Sequence, residues 1–156
     1  MDDARFMRLA LDACKRGIDF GQSPFGSCIV DPSGNVVACT HNRVWAKTDP
    51  SAHAEIETIR EACAARGDVK LRGSTIYSTT EPCPMCFSAV HWAQIDRIVY
   101  GATVEDAKSY GFNELQISNA VMKQVSGSKI DVTPNFMRDE ALELFRYWKN
   151  KKGKSY

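Results

Sequence analysis

The stretch Pro-Cys-Pro-Met-Cys at residues 82–86 limits the folds open to this chain more than any other feature. Two cysteines three positions apart, with proline before each, read as the opening turn of a helix, where both side chains share one side. Upstream, residues 51–55 read Ser-Ala-His-Ala-Glu, again at a helix start. His53 can offer a neutral imidazole nitrogen, and Cys83 and Cys86 can offer thiolates. Sulfur with imidazole suits zinc. Three protein ligands leave one tetrahedral position open, the arrangement of a catalytic rather than a structural zinc. Of the remaining histidines, His41 and His91, neither sits in a ligand pair. A fold that satisfies this pattern must bring two helix starts to one point. Helix starts carry partial positive charge, which helps hold thiolates in the anionic form.

Glu55 stands two residues after His53. It is too close to bind the same metal easily, but it can face the open position. A carboxylate there takes a proton from water that zinc has acidified and passes it on. Two plainer readings stand beside this one. Cys-x-x-Cys alone can be a redox pair, which the intervening proline and the nearby His-x-Glu disfavour. His53 alone can be an ordinary helix residue. The combination of all four side chains is what points to a hydrolytic zinc centre.

A chain of 156 residues suffices for one domain with a sizeable core. Apolar residues make up 44% and charged residues 25%, the balance of a globular protein. A net charge of +1 gives no global drive toward nucleic acid or membranes. No apolar run approaches the roughly 20 residues of a membrane span. The acidic, helix-patterned start Met1–Cys14 has no signal-peptide character, so a cytoplasmic protein is expected. In such a compartment six cysteines stay reduced. Cys14, Cys28, Cys39 and Cys63 then read as small buried apolar side chains.

The pattern along the chain is α-β-β-α-β-α-β-α. Residues 3–20 show helical spacing of Phe6, Leu9, Ala10, Ala13, Cys14 and Gly17. Two apolar runs around Asp-Pro-Ser-Gly (31–34) form a hairpin. A helix follows over 52–66, stopped by Gly67. Then come a strand over 74–80, a helix over 84–94, a strand over 97–102 and a short helix over 104–110. Residues 129–134 read as a fifth strand, and a last helix carries Met137, Ala141, Leu144, Phe145 and Trp148 on one face. Helices between successive strands argue for an α/β layer structure, and the hairpin makes the sheet mixed. No repeat or linker appears, so residues 1–156 are taken as one domain.

The pattern His-x-Glu…Pro-Cys-x-x-Cys is the signature of zinc deaminases. The chain resembles the cytidine-deaminase superfamily over nearly its whole length. The shared blocks are residues 24–30, 41–44, 49–63, 81–86 and 97–102. The resemblance implies a three-layer α-β-α sandwich with a five-stranded mixed sheet. It also implies one zinc per subunit and hydrolytic loss of an exocyclic amine from a nucleobase. Within that superfamily, Tyr-Gly-Phe-Asn-Glu (110–114) resembles the Gly-Phe-Asp-Asp stretch of small bacterial guanine deaminases, with Asn-Glu in place of Asp-Asp. The last residue, Tyr156, is aromatic, as in that branch. The stretch typical of the tRNA adenosine deaminases is not found.

By that resemblance guanine is the expected substrate, Glu114 is a second candidate catalytic residue, and Phe25, Asn42, Trp92 and Tyr156 line the base pocket. Asn42 reads the purine edge; Phe25 and Trp92 pack on the ring. As plain alternatives, Asn42 is a turn residue and Trp92 a core residue. A homodimer is implied, with segment 129–156 exchanged and Tyr156 closing the partner's pocket. A free nucleoside (guanosine or cytidine) and a tRNA wobble adenosine remain alternative substrates. Lys149, Lys151, Lys152 and Lys154 favour RNA only if they are more than a solvated tail. A non-enzymatic zinc scaffold is disfavoured because Glu55 is present.

Overall fold

The computed structural model describes all of residues 1–156. Helix α1 (Asp3–Asp19) starts where the Asp2 carboxylate accepts the Arg5 N–H at 3.0 Å. Its apolar stripe of Phe6, Met7, Ala10, Cys14 and Ile18 is buried. Strands β1 (Gly26–Val30) and β2 (Val36–His41) form the expected hairpin. Asp31 holds its turn by accepting the Ser33 and Asn35 N–H groups, each at 2.9 Å. A single turn of helix, α2 (Val44–Lys47), leads to α3 (Ala54–Arg66), which ends in left-handed Gly67. Strand β3 (Thr75–Thr80), helix α4 (Pro84–Trp92), strand β4 (Arg97–Ala102) and helix α5 (Val104–Ser109) follow. Helix α6 (Asn119–Ser126), strand β5 (Asp131–Thr133) and helix α7 (Arg138–Asn150) complete the chain.

The five strands are ordered β2-β1-β3-β4-β5. Strand β1 runs antiparallel to both β2 and β3, while β3, β4 and β5 are parallel. The expected three layers are present. Strand residues alternate between two cores with period two. Cys28, Tyr77 and Val99 face α1 and α7, packing with Phe6, Met7, Phe145 and Trp148. Ile29, Ile76 and Ile98 face the other side and pack with Phe87, Val90 and Ala62. All six cysteines are free. No helix is long and apolar enough to cross a membrane.

The expected 129–134 strand shrinks to the three residues of β5, an edge strand paired on one side only. Helices α2 and α6 were not expected. Helix α6 is a surface helix of eight residues, with Val125 83% exposed, and offers only about two turns over which a pattern can repeat.

This mixed topology positions the site. Because β1 opposes β3, the start of β1 and the end of β2 lie at the same edge as the C-terminal ends of β3 and β4. Phe25, Asn42, Thr80 and the Cys83 turn are gathered there. Helix α1 crosses β1 closely enough that a Cβ on Gly26 would collide with the Ala10 carbonyl and approach Cys14 N to 2.6 Å. Both obstacles are helix backbone, which cannot step aside. Gly26→Ala is therefore expected to cost about 3 kcal/mol, read as a lower denaturation midpoint.

Candidate active site

His53 is the N-cap of α3 and Cys83 the N-cap of α4, with Pro84 at the first helical position. Both caps are extended, so their side chains project from the helix ends rather than along them. Cys86 lies one turn further into α4 and is buried. His53 Nδ1 is 3.6 Å from each of the two sulfurs, and the three donors lie within 4.8 Å of one another. Zinc–sulfur and zinc–nitrogen bonds of about 2.3 and 2.0 Å at the tetrahedral angle require an N···S edge of about 3.5 Å. The donor set and its spacing therefore fit zinc. Cys83 is held down to about 4, first by its contact with Cys86 and then by His53. Cys86 is pushed up, first by burial and then by Cys83. A bound dication takes both as thiolates.

Glu55 is 6% exposed, in the first turn of α3. Its Oε1 accepts the Ser78 hydroxyl at 2.9 Å. Its Oε2 lies 3.5 Å from the Cys86 sulfur, facing the metal ligands. Burial raises its pKa, and the neighbouring His53 opposes that shift. The reacting end of the site is thus a proton-accepting carboxylate with one oxygen anchored and one free.

A cleft of about 340 Å³ leads to this centre, lined by Pro50, His53, Cys83, Glu114, Leu115 and Tyr156. At its inner end it narrows to about 10 Å³ between Phe25, Glu55, Thr80, Glu114 and Tyr156. Glu114 is raised to about 7, first by burial and then by the Cys83 charge. A larger open groove, about 780 Å³, passes Arg72, His91 and Lys129 but contains no ligand or acid of the centre.

The structure brings Phe25, Asn42, Glu114 and Tyr156 to the centre. Asn42 is fully buried; its Oδ1 accepts the Val44 N–H at 3.0 Å, and its Nδ2 donates to the Tyr156 hydroxyl at 2.6 Å. It is therefore both a turn residue and a wall of the cleft. Trp92 has to be corrected: it is not brought into the cleft of its own chain, nor into the core. It lies 78% exposed at the far end of α4 against His91. Cys83 caps one end of this nine-residue helix, and Trp92 closes the other, about 13 Å along the axis.

Several residues at the site escaped the sequence reading. Trp45, on α2, donates its indole N–H to the Lys154 carbonyl at 3.1 Å and lies beside Tyr156. Phe112 packs edge-on against both Phe25 and Tyr156. Buried Glu81 accepts the Val104 N–H at 3.1 Å and the Asn119 N–H at 2.8 Å, while Asn119 donates to the Pro82 carbonyl at 2.7 Å. Glu81 thereby ties the starts of α5 and α6 to the Cys83 turn. Its place next to Pro82 was the only sequence clue.

Residues 1–102 match the cytidine and deoxycytidylate deaminase zinc-binding region. The chain belongs to that family. It is a zinc-dependent deaminase with a His53–Cys83–Cys86 metal site and a catalytic Glu55. It is 33% identical over 151 residues to guanine deaminase of Bacillus subtilis, covering 96% of each chain. It is 42% identical over 97 residues to tRNA-specific adenosine deaminase of Agrobacterium fabrum, covering 62% of this chain and 63% of that one. Guanine deaminase from Nitrosomonas europaea superposes with a TM-score of 0.87 at 28% identity, covering 96% of this chain and 85% of that one. Similar solved structures hold 8-azaguanine or 2,6-diaminopurine, with TM-scores of 0.88 and 0.89.

Cys86→Ala is expected to reduce zinc from about one ion per chain to near none, measured by elemental analysis of the purified protein. Glu55→Gln, which leaves all three donors in place, is expected to retain it.

Proposed function

We propose that this deaminase converts guanine and water to xanthine and ammonia. The observation that carries this reading is the position of the tail. Tyr156 lies across the inner cleft, its hydroxyl bonded to Asn42 and its carbonyl bonded to the Asn113 N–H at 3.0 Å. Such a closed space suits a free base, which can be enclosed entirely. Similarity to the B. subtilis guanine deaminase along 96% of the chain supports it. The inner cavity of about 10 Å³ adjoins the cleft of about 340 Å³ that His53, Cys83, Glu114 and Tyr156 also line, and the base is placed across the two.

Deamination of a tRNA adenosine is the second reading, favoured by the higher identity to the A. fabrum enzyme across the zinc core. Against it, two of the four tail lysines are already engaged. Lys151 pairs with Asp19 at 2.7 Å, and Lys154 lies over the Trp45 ring. A base still attached to a polymer would also have to hold the tail open.

Zinc held by His53, Cys83 and Cys86 supplies a Lewis acid that brings a water pKa down to about 7. Glu55 takes the proton from the attacking water on its free Oε2 and hands it to the ring nitrogen beside the attacked carbon. It then carries the second water proton to the departing ammonia. Ser78 keeps Oε1 fixed throughout. Phe25 and Phe112 pack on the base. Asn42, once Tyr156 swings aside, offers its amide to the purine edge. Glu114, half-buried opposite Glu55, binds the amine before it leaves. Exchange of segment 129–156 between two copies of the chain would recreate the same contacts between protomers.

The decisive assay is ammonia release by zinc-loaded protein on guanine, guanosine, cytosine and a tRNA anticodon stem-loop. Turnover of guanine alone is expected; turnover of the stem-loop alone would reverse the order of the two readings. Glu55→Gln is expected to lower kcat about 10³-fold at unchanged zinc content. Deleting residues 150–156 is expected to lower kcat/KM about ten-fold while the melting transition stays cooperative. Full activity after that deletion would remove Tyr156 from the site.

A further inference from the structure

Nearly every buried polar group around the centre has a fixed partner. Ser78 serves Glu55 and lies 2.6 Å from the Thr80 carbonyl, Glu81 holds two backbone N–H groups, and Asn42 holds Tyr156 and Val44. Four buried side-chain oxygens have none, those of Ser23, Ser27, Thr80 and Asn119, and of these Thr80 is the one that lines the cleft. Thr80 is 3% exposed, and its Oγ1 has no hydrogen-bond partner in the protein. It also lines the inner end of the cleft with Glu55, Glu114 and Tyr156. As the last residue of β3, it shares the face that Ser78 presents to Glu55, two residues earlier.

A buried hydroxyl without a partner costs stability. Valine has the same branched shape and suits a strand equally well, so the fold itself has no use for the oxygen. A polar atom kept at a cost to stability, at the wall of the reacting cavity, is the signature of a group reserved for a ligand.

We propose that the Thr80 hydroxyl is a substrate contact, hydrogen-bonding to the polar edge of the nucleobase at the closed end of the cleft. A hydroxyl both donates and accepts, so it can serve a ring nitrogen, a carbonyl oxygen or an N–H of the base. This inference rests on the nucleobase-deaminase reading and adds one recognition group to it.

The test uses the zinc-loaded full chain with Thr80→Val and Thr80→Ser. Ser23→Ala is the control, because Ser23 is another buried hydroxyl without a partner but does not line the cleft. Melting temperature, kcat and KM for guanine, and calorimetric binding of 8-azaguanine are measured for each. Thr80→Val is expected to melt at or above the wild-type temperature. It is also expected to lose about ten-fold in kcat/KM and in 8-azaguanine affinity, the worth of one good hydrogen bond. Thr80→Ser recovers most of both losses, and Ser23→Ala changes melting alone. Wild-type catalysis and binding in Thr80→Val would overturn the proposal. So would a marked fall in its melting temperature, which would make the hydroxyl structural. Should the wild type neither turn over guanine nor bind 8-azaguanine, the guanine reading is what fails. Thr80 is then judged on whichever of the other assayed compounds releases ammonia, and equal turnover by Thr80→Val and wild type overturns it there.

Discussion

Three donor atoms on two different helices must come within bonding distance of one metal ion, and much of the architecture serves that convergence. His53 and Cys83 are both N-caps, extended residues whose side chains point off the ends of α3 and α4. The parallel β3–β4 pair places α4 between them, with its start at the C-terminal edge of the sheet. The antiparallel β1 then returns Phe25 to that same edge, and β2 delivers Asn42 beside it. A metal site, a base wall and a proton carrier thus share one rim because the sheet is mixed.

Closure of the rim is a separate problem, met by residues remote in sequence. The tail reaches the cleft because α7 packs on β4 and on α1, burying Phe145 and Trp148. Trp45 then grips Lys154, and Asn42 meets Tyr156. These contacts join parts of the chain more than a hundred residues apart. Each alone is worth little more than one hydrogen bond or ring contact. Contacts of that size suit the lid role proposed for the tail. The same contacts serve equally whether the tail belongs to its own chain or to a second copy.

Glu81 is the counterpart of the lid on the rigid side. Its two oxygens take up the otherwise unpaired N–H groups at the starts of α5 and α6. Segment 103–119, which carries Phe112 and Glu114, is therefore pinned at both ends, while its middle remains at the cleft. Polar groups around the centre divide accordingly into those that hold the frame together and those that face the reacting space.

The sequence by itself determined the chemistry of the centre. His53, Cys83, Cys86 and Glu55 were legible because metal ligation and proton transfer demand particular side chains, and helix starts make those side chains recognisable at short spacing. The strong elements were legible too: α1 by the helical spacing of its buried residues, the β1–β2 hairpin by its turn, α3 by the Gly67 that ends it and α4 by the Pro84 that opens it. Helix α6 and strand β5 are short, eight and three residues, and offer few positions over which a pattern can repeat. The tertiary structure alone decided which side chains line the cleft or brace it. Phe112, Trp45, Thr80 and Glu81 have no local signature, because their roles follow from contacts between distant segments. Trp92 shows the converse: the family resemblance invited a place in the pocket, and the direction of α4 carries it to the end of the helix away from Cys83. A ligand set is a property of residue type and local backbone, and both are written in the order of the residues. A pocket wall is a property of direction, and direction is settled only when strands pair and helices pack.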